Sequence, residues 1–433
     1  MKVSVIGAGL AGCEAAFQLA NQGIQVDLYE MKPQKYTAAH TYQGFAELVC
    51  SNSLKAARLD SAAGLLKAEM RELGSLVLEA AEQCAVAAGG ALAVDREKFS
   101  DYITNKIKTH ENINVISGEV TTIPQGYVVI ASGPLTSDQL ADTIMEMLDS
   151  NRLSFFDAAA PIVTAESIDM SIAFAQSRYG KGDDDYINCP MNKEEYELFY
   201  TELIQAESAP LKEIDKRDFK VYEGCMPIEV MAKRGADTIR FGPLKPVGLR
   251  DPRTDHRPWA VVQLRKENQD STMYNLVGFQ TNLKFGEQKR VFSLIPGLQN
   301  AEFVRYGVMH RNTFIDSPRL LDNHFCLKKD NRIFFAGQIT GVEGYTESAA
   351  SGIYVGYNLA RIINGKEPIT LPKETMLGSL SHYISDETVV NFQPMGSNMG
   401  ILPSLETTIR DKKLRYETLA KRAIEALKQT INQ

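Results

Sequence analysis

The amino-terminal dozen residues constrain the fold of this chain more than any other part of its sequence. Residues 3–6 are mostly apolar and predict a buried strand, and residues 13–21 predict an alanine-rich helix that Gly23 ends. Between them lies the pattern G-x-G-x-x-G, made of Gly7, Ala8, Gly9, Leu10, Ala11 and Gly12. The first glycine permits a tight turn, the second lets backbone N–H groups approach a pyrophosphate, and the third lets helix and strand pack closely. The pattern therefore predicts that the chain begins with a nucleotide-binding strand, turn and helix.

An acidic residue at the end of a second predicted strand narrows the ligand to a dinucleotide. Residues 24–29 predict this strand, and Glu30 follows it, 18 residues after Gly12. That spacing is close to the one expected for a carboxylate that accepts hydrogen bonds from an adenosine ribose.

A second glycine-rich segment lies far along the chain. Residues 333–337 predict a buried strand that ends at Gly337, and the stretch from Gly341 to Gly344 leads into a helix of small residues. In flavoproteins of the two-dinucleotide type, such a late segment brings a helix amino terminus towards the flavin end of FAD. The pair of segments therefore favours FAD over NAD as the bound cofactor.

The length of 433 residues is too great for one simple core. We expect an α/β protein with a Rossmann-like FAD-binding domain, an inserted α/β domain and a helical carboxyl-terminal tail. The FAD-binding domain is predicted in two parts, residues 1–155 and 301–370. Residues 156–300 lack a second glycine motif and are assigned to the insertion for substrate, and residues 371–433 form the tail.

Composition excludes several other classes of protein. A hydrophobic content of 44% and a charged content of 23% are ordinary for a globular protein. The sequence contains neither a signal-peptide pattern nor an apolar run long enough to span a membrane, so we expect a cytoplasmic protein without a membrane partner. Six cysteines without a C-x-x-C pair argue against a zinc site or a disulfide scaffold, and no metal is expected.

Five further segments together carry a resemblance to one family. They are residues 46–54, 89–96, 223–229, 305–313 and 337–345. Their order and spacing resemble the folate- and FAD-dependent tRNA uracil-5-methyltransferases, and the resemblance covers nearly the whole chain. The related flavoproteins that modify wobble uridine share the glycine motif, but they are considerably longer and are not expected to carry the segment at 223–229.

The resemblance implies methylation of uracil C5 at the T-loop uridine of tRNA. It implies 5,10-methylenetetrahydrofolate as the carbon donor, FAD as the flavin, and NADH or NADPH as the reductant. A paralogue that acts on ribosomal RNA would keep every active-site motif, so this alternative stays open. The more distant alternatives are an FAD-dependent oxidoreductase of small molecules and a flavin-binding RNA adaptor. The sequence does not indicate an oligomeric state.

Two cysteines are candidates for catalysis. Cys225 lies in a turn within a basic region, and Cys50 precedes three residues that favour a helix N-cap; either setting stabilises a thiolate. From spacing alone a structural role is favoured for either thiol, and the family resemblance reverses this preference. The resemblance implies that both line the flavin pocket, with Cys225 as the nucleophile that adds to uracil C6. Cys50 then removes the C5 proton or protects the flavin adduct, and Tyr345 is the alternative proton acceptor.

The remaining cysteines are assigned to structure. Cys13 and Cys84 are placed in alanine-rich helices and Cys326 in an apolar strand, where each serves as a small core residue. Cys189 precedes a proline and is interpreted as an inert loop thiol.

Folate and RNA contacts are expected from other polar residues. His310 is a candidate for stacking on the pterin and Arg311 for pairing with folate carboxylates, while a hydrogen-bonded loop histidine remains the alternative for His310. Residues 233–266 carry nine Lys or Arg against three acids, in a chain of net charge −7. This basic run predicts an RNA-binding surface that includes Arg250, Arg253 and Arg257. Phe241 and Trp259 are candidates for stacking on exposed bases.

Overall fold

A computed structural model describes residues 2–37, 39–149, 153–180, 183–209, 226–390 and 392–432, without the side chains of residues 153–157, 310 and 311. The first part of the chain contains β1 (Lys2–Ile6), α1 (Leu10–Asn21), β2 (Gln25–Glu30), β3 (Ser53–Ala56), α2 (Ala62–Glu72), α3 (Leu76–Gln83), β4 (Ala85–Val86), β5 (Ala91–Val94), α4 (Arg96–Lys108), β6 (Ile113–Ser117), β7 (Tyr127–Ile130) and α5 (Asp138–Leu148).

The middle part contains β8 (Leu153–Ala158), β9 (Ile162–Thr164), β10 (Phe174–Ala175), β11 (Tyr186–Met191), α6 (Lys193–Gln205), α7 (Ile228–Ala232), α8 (Thr238–Phe241), β12 (Ala260–Lys266), β13 (Met273–Leu276), α9 (Phe285–Phe292), β14 (Phe303–Arg305) and β15 (Met309–Phe314). The last part contains α10 (Ser317–Leu320), β16 (Cys326–Leu327), β17 (Asp330–Phe335), α11 (Tyr345–Ile363), α12 (Met376–Ser385) and α13 (Lys412–Ile431).

A largely parallel sheet carries the glycine motif. Its strand order is β16-β17-β7-β1-β2-β6, and every pair is parallel except the edge pair of β16 and β17. β7 lies between β1, which leads into the first glycine turn, and β17, which leads into the late glycine segment, so both glycine segments follow strands of the same sheet. This is the Rossmann-like α/β domain that the sequence predicts. The carboxyl ends of its parallel strands lie along one edge of the sheet, and α1 and α11 begin near this edge.

Helices α1 and α11 pack closely because glycines lie at their contact. A Cβ atom at Gly352 would clash with the carbonyl oxygen of Ala11, and one at Gly356 would lie 2.8 Å from that of Ala15. Only glycine therefore lets the two backbones approach this far. The contact joins the amino-terminal glycine motif to the late one.

The middle part forms a second sheet in which every pair is antiparallel, with the strand order β10-β11-β12-β13-β9-β14. It has a hydrophobic core separate from that of the first sheet. β14 belongs to this second sheet through pairing with β9, so the sheet extends past residue 300, where the sequence analysis places the end of the insertion. The chain enters the second sheet through β8 and leaves it through β15, and these two strands pair with each other in antiparallel orientation.

The carboxyl-terminal helices α12 and α13 contribute buried residues to the core of the first sheet, among them Leu377, Leu380, Leu419 and Leu427. Among the helices of the described ranges, none combines the length and the apolar character needed to cross a membrane.

Two local predictions are wrong. Ser51–Asn52–Ser53 does not start a helix: β3 begins at Ser53, and the next helix starts at Ala62 behind a Ser61 N-cap. Cys189 does not lie in a loop. It is fully buried within β11, a strand that also contains Pro190 and that has a neighbouring strand on each side.

Candidate cofactor and active site

A cleft of about 1110 Å³, including its open mouth, runs along the edge of the parallel sheet. Its lining joins six parts of the chain, namely the glycine turn, the segments after β2, β6, β7 and β17, and the beginning of α11. Of the predicted site residues, the lining includes Gly7, Ala8, Gly9, Leu10, Ala11, Glu30, Gly337 and Tyr345. Ligands of open α/β sheets bind in this position, outside the carboxyl ends of the parallel strands.

The glycine turn leaves room for a phosphate group in front of its backbone. Helix α1 begins after Gly9, and a Cβ atom at Gly9 would meet no protein atom within 4 Å. Gly7 has a φ of 98°, and Gly12 packs so tightly that a Cβ atom there would clash with the carbonyl oxygen of Gly7. The free N–H groups at the start of α1 therefore face open space, as a pyrophosphate requires.

Glu30 is fixed at the end of β2 by backbone groups. One carboxylate oxygen accepts a hydrogen bond from the N–H of Ala8 at 2.9 Å, and the other accepts one from the N–H of Lys32 at 2.9 Å. Each oxygen has a further lone pair for a ribose hydroxyl. The geometry fits the ribose and pyrophosphate of a dinucleotide.

The sequence analysis missed Lys32, which organises the segment after Glu30. Its Nζ is buried, donates to the carbonyl oxygens of Tyr42 and Gly44, and forms an ion pair with Glu47 at 3.3 Å. Both Lys32 and Glu47 line the cleft. A lone lysine after a strand carries no sequence signal for this role, because its partners follow 10 to 15 residues later.

The three late glycines have different positions. Gly337 lines the cleft, whereas Gly341 and Gly344 are turn residues with φ of 86° and 121°. A Cβ atom at Gly341 would clash with the ring of Phe392, and one at Gly344 would clash with the carboxylate of Glu347. Gly341 and Gly344 therefore shape the turn before α11 rather than the cleft itself.

Tyr345, the first residue of α11, contacts Cys50 directly. Its hydroxyl donates to the Cys50 Sγ at 3.0 Å and accepts from the N–H groups of Cys50 and Ser51, at 2.8 and 3.3 Å. Burial, with a contribution from Cys50, raises the pKa of Tyr345 well above its usual value. The phenol therefore stays protonated and serves as a hydrogen-bond donor to the thiol.

Cys225 lies outside the described residues, but both flanks of its segment are anchored on one stretch of chain. Before the segment, the N–H of Ala209 donates to the carbonyl oxygen of Asn282 at 2.7 Å. After it, the N–H of Ile228 donates to the carbonyl oxygen of Gln280 at 2.7 Å.

The side chains of His310 and Arg311 are also outside the description, and the backbone of both residues lies in β15. Three residues further on, the N–H of Thr313 donates to the carbonyl oxygen of Pro134, a residue of the cleft lining.

The basic run does not form one surface. Arg265 is buried in β12, and the guanidinium of Arg240 covers Trp259, 3.7 Å from the ring centre. The three arginines predicted to bind RNA are exposed. Arg250 is paired with Asp255 and Arg253 with Asp251, so two of these charges are already partly compensated. Phe241 is 66% exposed.

Within the described part of the chain, no cluster of His, Cys, Asp and Glu could hold a metal ion.

Comparison with known proteins gives the chain its family. The family model "Glucose inhibited division protein A" matches residues 2–367. A solved structure of Aquifex aeolicus GidA superposes with a TM-score of 0.71 at 18% sequence identity, over 99% of this chain and 73% of that one. This likeness confirms the predicted fold class.

Two relatives are named methylenetetrahydrofolate–tRNA-(uracil-5-)-methyltransferase TrmFO. The protein of Acetivibrio thermocellus is 59% identical over 431 residues, which is 99% of this chain and 98% of the relative. The protein of Listeria monocytogenes is 58% identical over 426 residues, 98% of each chain. The chain therefore belongs to the glucose inhibited division protein A family and, within it, to the folate- and FAD-dependent tRNA uracil-5-methyltransferases.

Proposed function

We propose that this protein methylates C5 of the T-loop uridine of tRNA, with 5,10-methylenetetrahydrofolate as the one-carbon donor. The cleft would hold FAD, with the N–H groups at the start of α1 binding its pyrophosphate and Glu30 binding its ribose. When bound, the flavin supplies the redox chemistry that converts the transferred carbon unit into a methyl group, with NADH or NADPH as the source of electrons. The observation that carries this proposal is the contact between Cys50 and Tyr345 at the cleft, in a chain of this family.

Two thiols divide the chemistry on the uracil. C5 of a pyrimidine is a weak nucleophile, and addition of the Cys225 thiolate at C6 creates an enolate whose C5 attacks the one-carbon unit. Cys50 is then the group that takes the C5 proton, after which the bond between C6 and Cys225 breaks. Because its phenol stays protonated, Tyr345 is assigned to holding the Cys50 thiol rather than to accepting the proton.

The exposed arginines Arg250, Arg253 and Arg257 are assigned to phosphates of the RNA. His310 and Arg311 are assigned to the pterin and the carboxylates of the folate. The strand that carries His310 and Arg311 supports this assignment, because it runs up to the cleft at Pro134.

A mechanism-based RNA tests the roles of the thiols. RNA that contains 5-fluorouracil lacks the C5 hydrogen whose removal allows release, so thiolate addition at C6 traps a covalent complex. We expect Cys225→Ala to abolish this complex, Cys50→Ala to form it, and both variants to fail in turnover. Peptide mapping that places the RNA on Cys50 would exchange the two roles, and attachment at neither thiol would remove thiolate addition from the mechanism.

The substrate is tested with RNA transcripts. The protein should methylate a tRNA transcript in the presence of methylenetetrahydrofolate and NADH or NADPH, and should leave a ribosomal RNA transcript unmodified. Methylation of the ribosomal RNA alone would overturn the substrate assignment while preserving the chemistry.

A further inference from the structure

The backbone on the amino-terminal side of Cys50 is held by two guanidinium groups. Arg96, at the start of α4, donates from Nη1 to the carbonyl oxygen of Leu48 at 2.6 Å. Arg305, at the end of β14, donates from Nη2 to the carbonyl oxygen of Val49 at 2.7 Å. One of these arginines belongs to the first domain and the other to the second sheet.

A third guanidinium holds the other side of Cys50. Arg265, in β12 of the second sheet, donates from Nη2 to the Ser51 Oγ at 2.8 Å and from Nε to the Asn52 Oδ1 at 3.0 Å. The Asn52 amide in turn donates to the carbonyl oxygen of Lys266 at 2.9 Å. The segment that carries the thiol is thus clamped between the two domains.

One buried carboxylate serves all three arginines. Glu267 forms an ion pair with Arg96, and it also interacts electrostatically with Arg265 and Arg305. Burial lowers the pKa of both Arg265 and Arg305 and raises that of Glu267. Three guanidinium groups therefore lie near one carboxylate in a buried environment. Within this cluster, two positive charges remain uncompensated.

The excess positive charge lies next to the Cys50 contact. Arg96 and Arg305 both interact electrostatically with Tyr345, whose hydroxyl is 3.0 Å from the Cys50 Sγ. Of the nearby carboxylates, Glu47 is ion-paired with Lys32 and also interacts electrostatically with Arg305, and Glu347 is ion-paired with Lys55. A thiolate at Cys50 is the anion that this arrangement accommodates, because buried charges are stable only when they are paired.

We propose that this guanidinium cluster, made of Arg96, Arg265, Glu267 and Arg305, positions the Cys50 thiol against Tyr345 and favours its thiolate form. The four residues are positioning residues, and three of them come from the inserted part of the chain. The insertion thereby controls the reactivity of a thiol that belongs to the first domain. The inference deepens the proposed function, since it rests on Cys50 being a reacting group.

The test measures the reactivity of Cys50 in the FAD-loaded protein. Cys225→Ala serves as the background, because the other four cysteines, Cys13, Cys84, Cys189 and Cys326, are buried. The alkylation rate with iodoacetamide is followed between about pH 5 and 10, since the thiolate is the reacting form. We expect Arg305→Gln to move the half-maximal rate to higher pH by about 0.5 to 1 unit, because a nearby positive charge is lost. Arg305→Lys keeps the charge and should keep the midpoint.

Arg290→Gln is the matched control, since Arg290 is a charged residue of the same insertion that pairs with Glu202 and Glu287 on the surface. Flavin content and thermal unfolding identify a variant that has failed to fold, in which case Arg96→Gln takes its place. An unchanged alkylation profile in a folded Arg305→Gln or Arg96→Gln variant would overturn the inference. Methylation of tRNA is measured separately in the protein that keeps Cys225. A shifted alkylation profile, together with a Cys225-containing protein that does not methylate tRNA, would reject the proposed function and leave the effect of the arginine on Cys50 established.

Discussion

At the scale of single residues, the three glycines of the amino-terminal turn have separate tasks. Gly7 adopts a φ of 98°, which disfavours other residues, and Gly12 has no room for a side chain beside the carbonyl oxygen of Gly7. Gly9 has an ordinary φ of −76° and open space in front of it. The fold therefore requires glycine at positions 7 and 12 but not at position 9, where we assign the requirement to the ligand.

Substitution separates these tasks. Gly9→Val should leave the free energy of unfolding of the flavin-free protein within about 1 kcal/mol, because a Cβ atom at this position meets no protein atom within 4 Å. The valine would occupy the place of the pyrophosphate, so the purified variant should lack FAD. Gly12→Ala should cost more than about 4 kcal/mol, because either the turn or helix α1 must move. Flavin absorbance and denaturant unfolding measure both effects, and stoichiometric FAD in Gly9→Val would contradict the assignment of the turn.

The sequence could predict residues of the site whose partners are near in the chain or whose spacing is fixed by the turn. Glu30 and the glycine turn belong to this class. The contact between Tyr345 and Cys50 joins residues 295 positions apart, and only the family resemblance suggested that they share a pocket. The guanidinium cluster combines residues of three segments, so no local pattern indicates it.

At the scale of elements, two helices are capped by carboxylates from distant parts of the chain. Glu14 of α1 accepts from the N–H groups of Leu76 and Val77 at the start of α3. Glu69 of α2 accepts from the N–H groups of Met376 and Leu377 at the start of α12, at 2.7 and 2.9 Å. Such caps satisfy helix N–H groups that lack partners within the helix. They escape sequence analysis, which looks for a cap immediately before the helix.

The buried cap of α12 predicts a pH dependence of stability. Burial raises the pKa of Glu69 from its usual 4.5 to about 7. For a carboxyl whose pKa is raised by folding, the stabilising contribution is complete below pH 4.5 and is lost as the pH rises to 7. The free energy of unfolding should fall across this window by at most about 1.4 kcal/mol per pH unit for this group.

Glu69→Gln should remove this part of the slope, because glutamine does not titrate. Glu14, whose pKa burial also raises to about 7, would keep its own part. Urea unfolding at a series of pH values measures the slope, and Glu425→Gln, at an exposed position of α13, is the control. A slope that is identical in Glu69→Gln and the wild-type protein would mean that Glu69 is ionised throughout the window.

At the scale of the whole molecule, the two domains, each with its own hydrophobic core, meet at the segment that carries Cys50. Periodicity and the glycine patterns predicted the parallel sheet, the insertion and the final helix, since each follows from local sequence. The distribution of positive charge could not be predicted in the same way. One run of cations in the sequence is divided by the fold, with Arg265 turned into the interior and Arg250, Arg253 and Arg257 left outside.

The exposed arginines yield a prediction for the recognition of RNA. Residues 250–257 carry three arginines and two aspartates, and both Asp251 and Asp255 are paired with arginines of the same loop. Replacing the three arginines with alanine should weaken tRNA binding and reduce the slope of log K against log salt by about 0.7 for each phosphate contact that is lost. Because two of the three cations are already paired, we expect a total change of about one to two in this slope. Bound FAD should not change.

Arg332→Ala is a matched control for this experiment, because Arg332 pairs with Asp330 two residues before it, as Arg253 pairs with Asp251. Filter binding over a series of salt concentrations gives the slopes for the triple variant, the control and the wild-type protein. If the triple variant retains the wild-type slope, the loop is only a solvated surface. The phosphate contacts must then come from elsewhere, and the exposed lysines Lys412, Lys413 and Lys421 of α13 are the next group to replace.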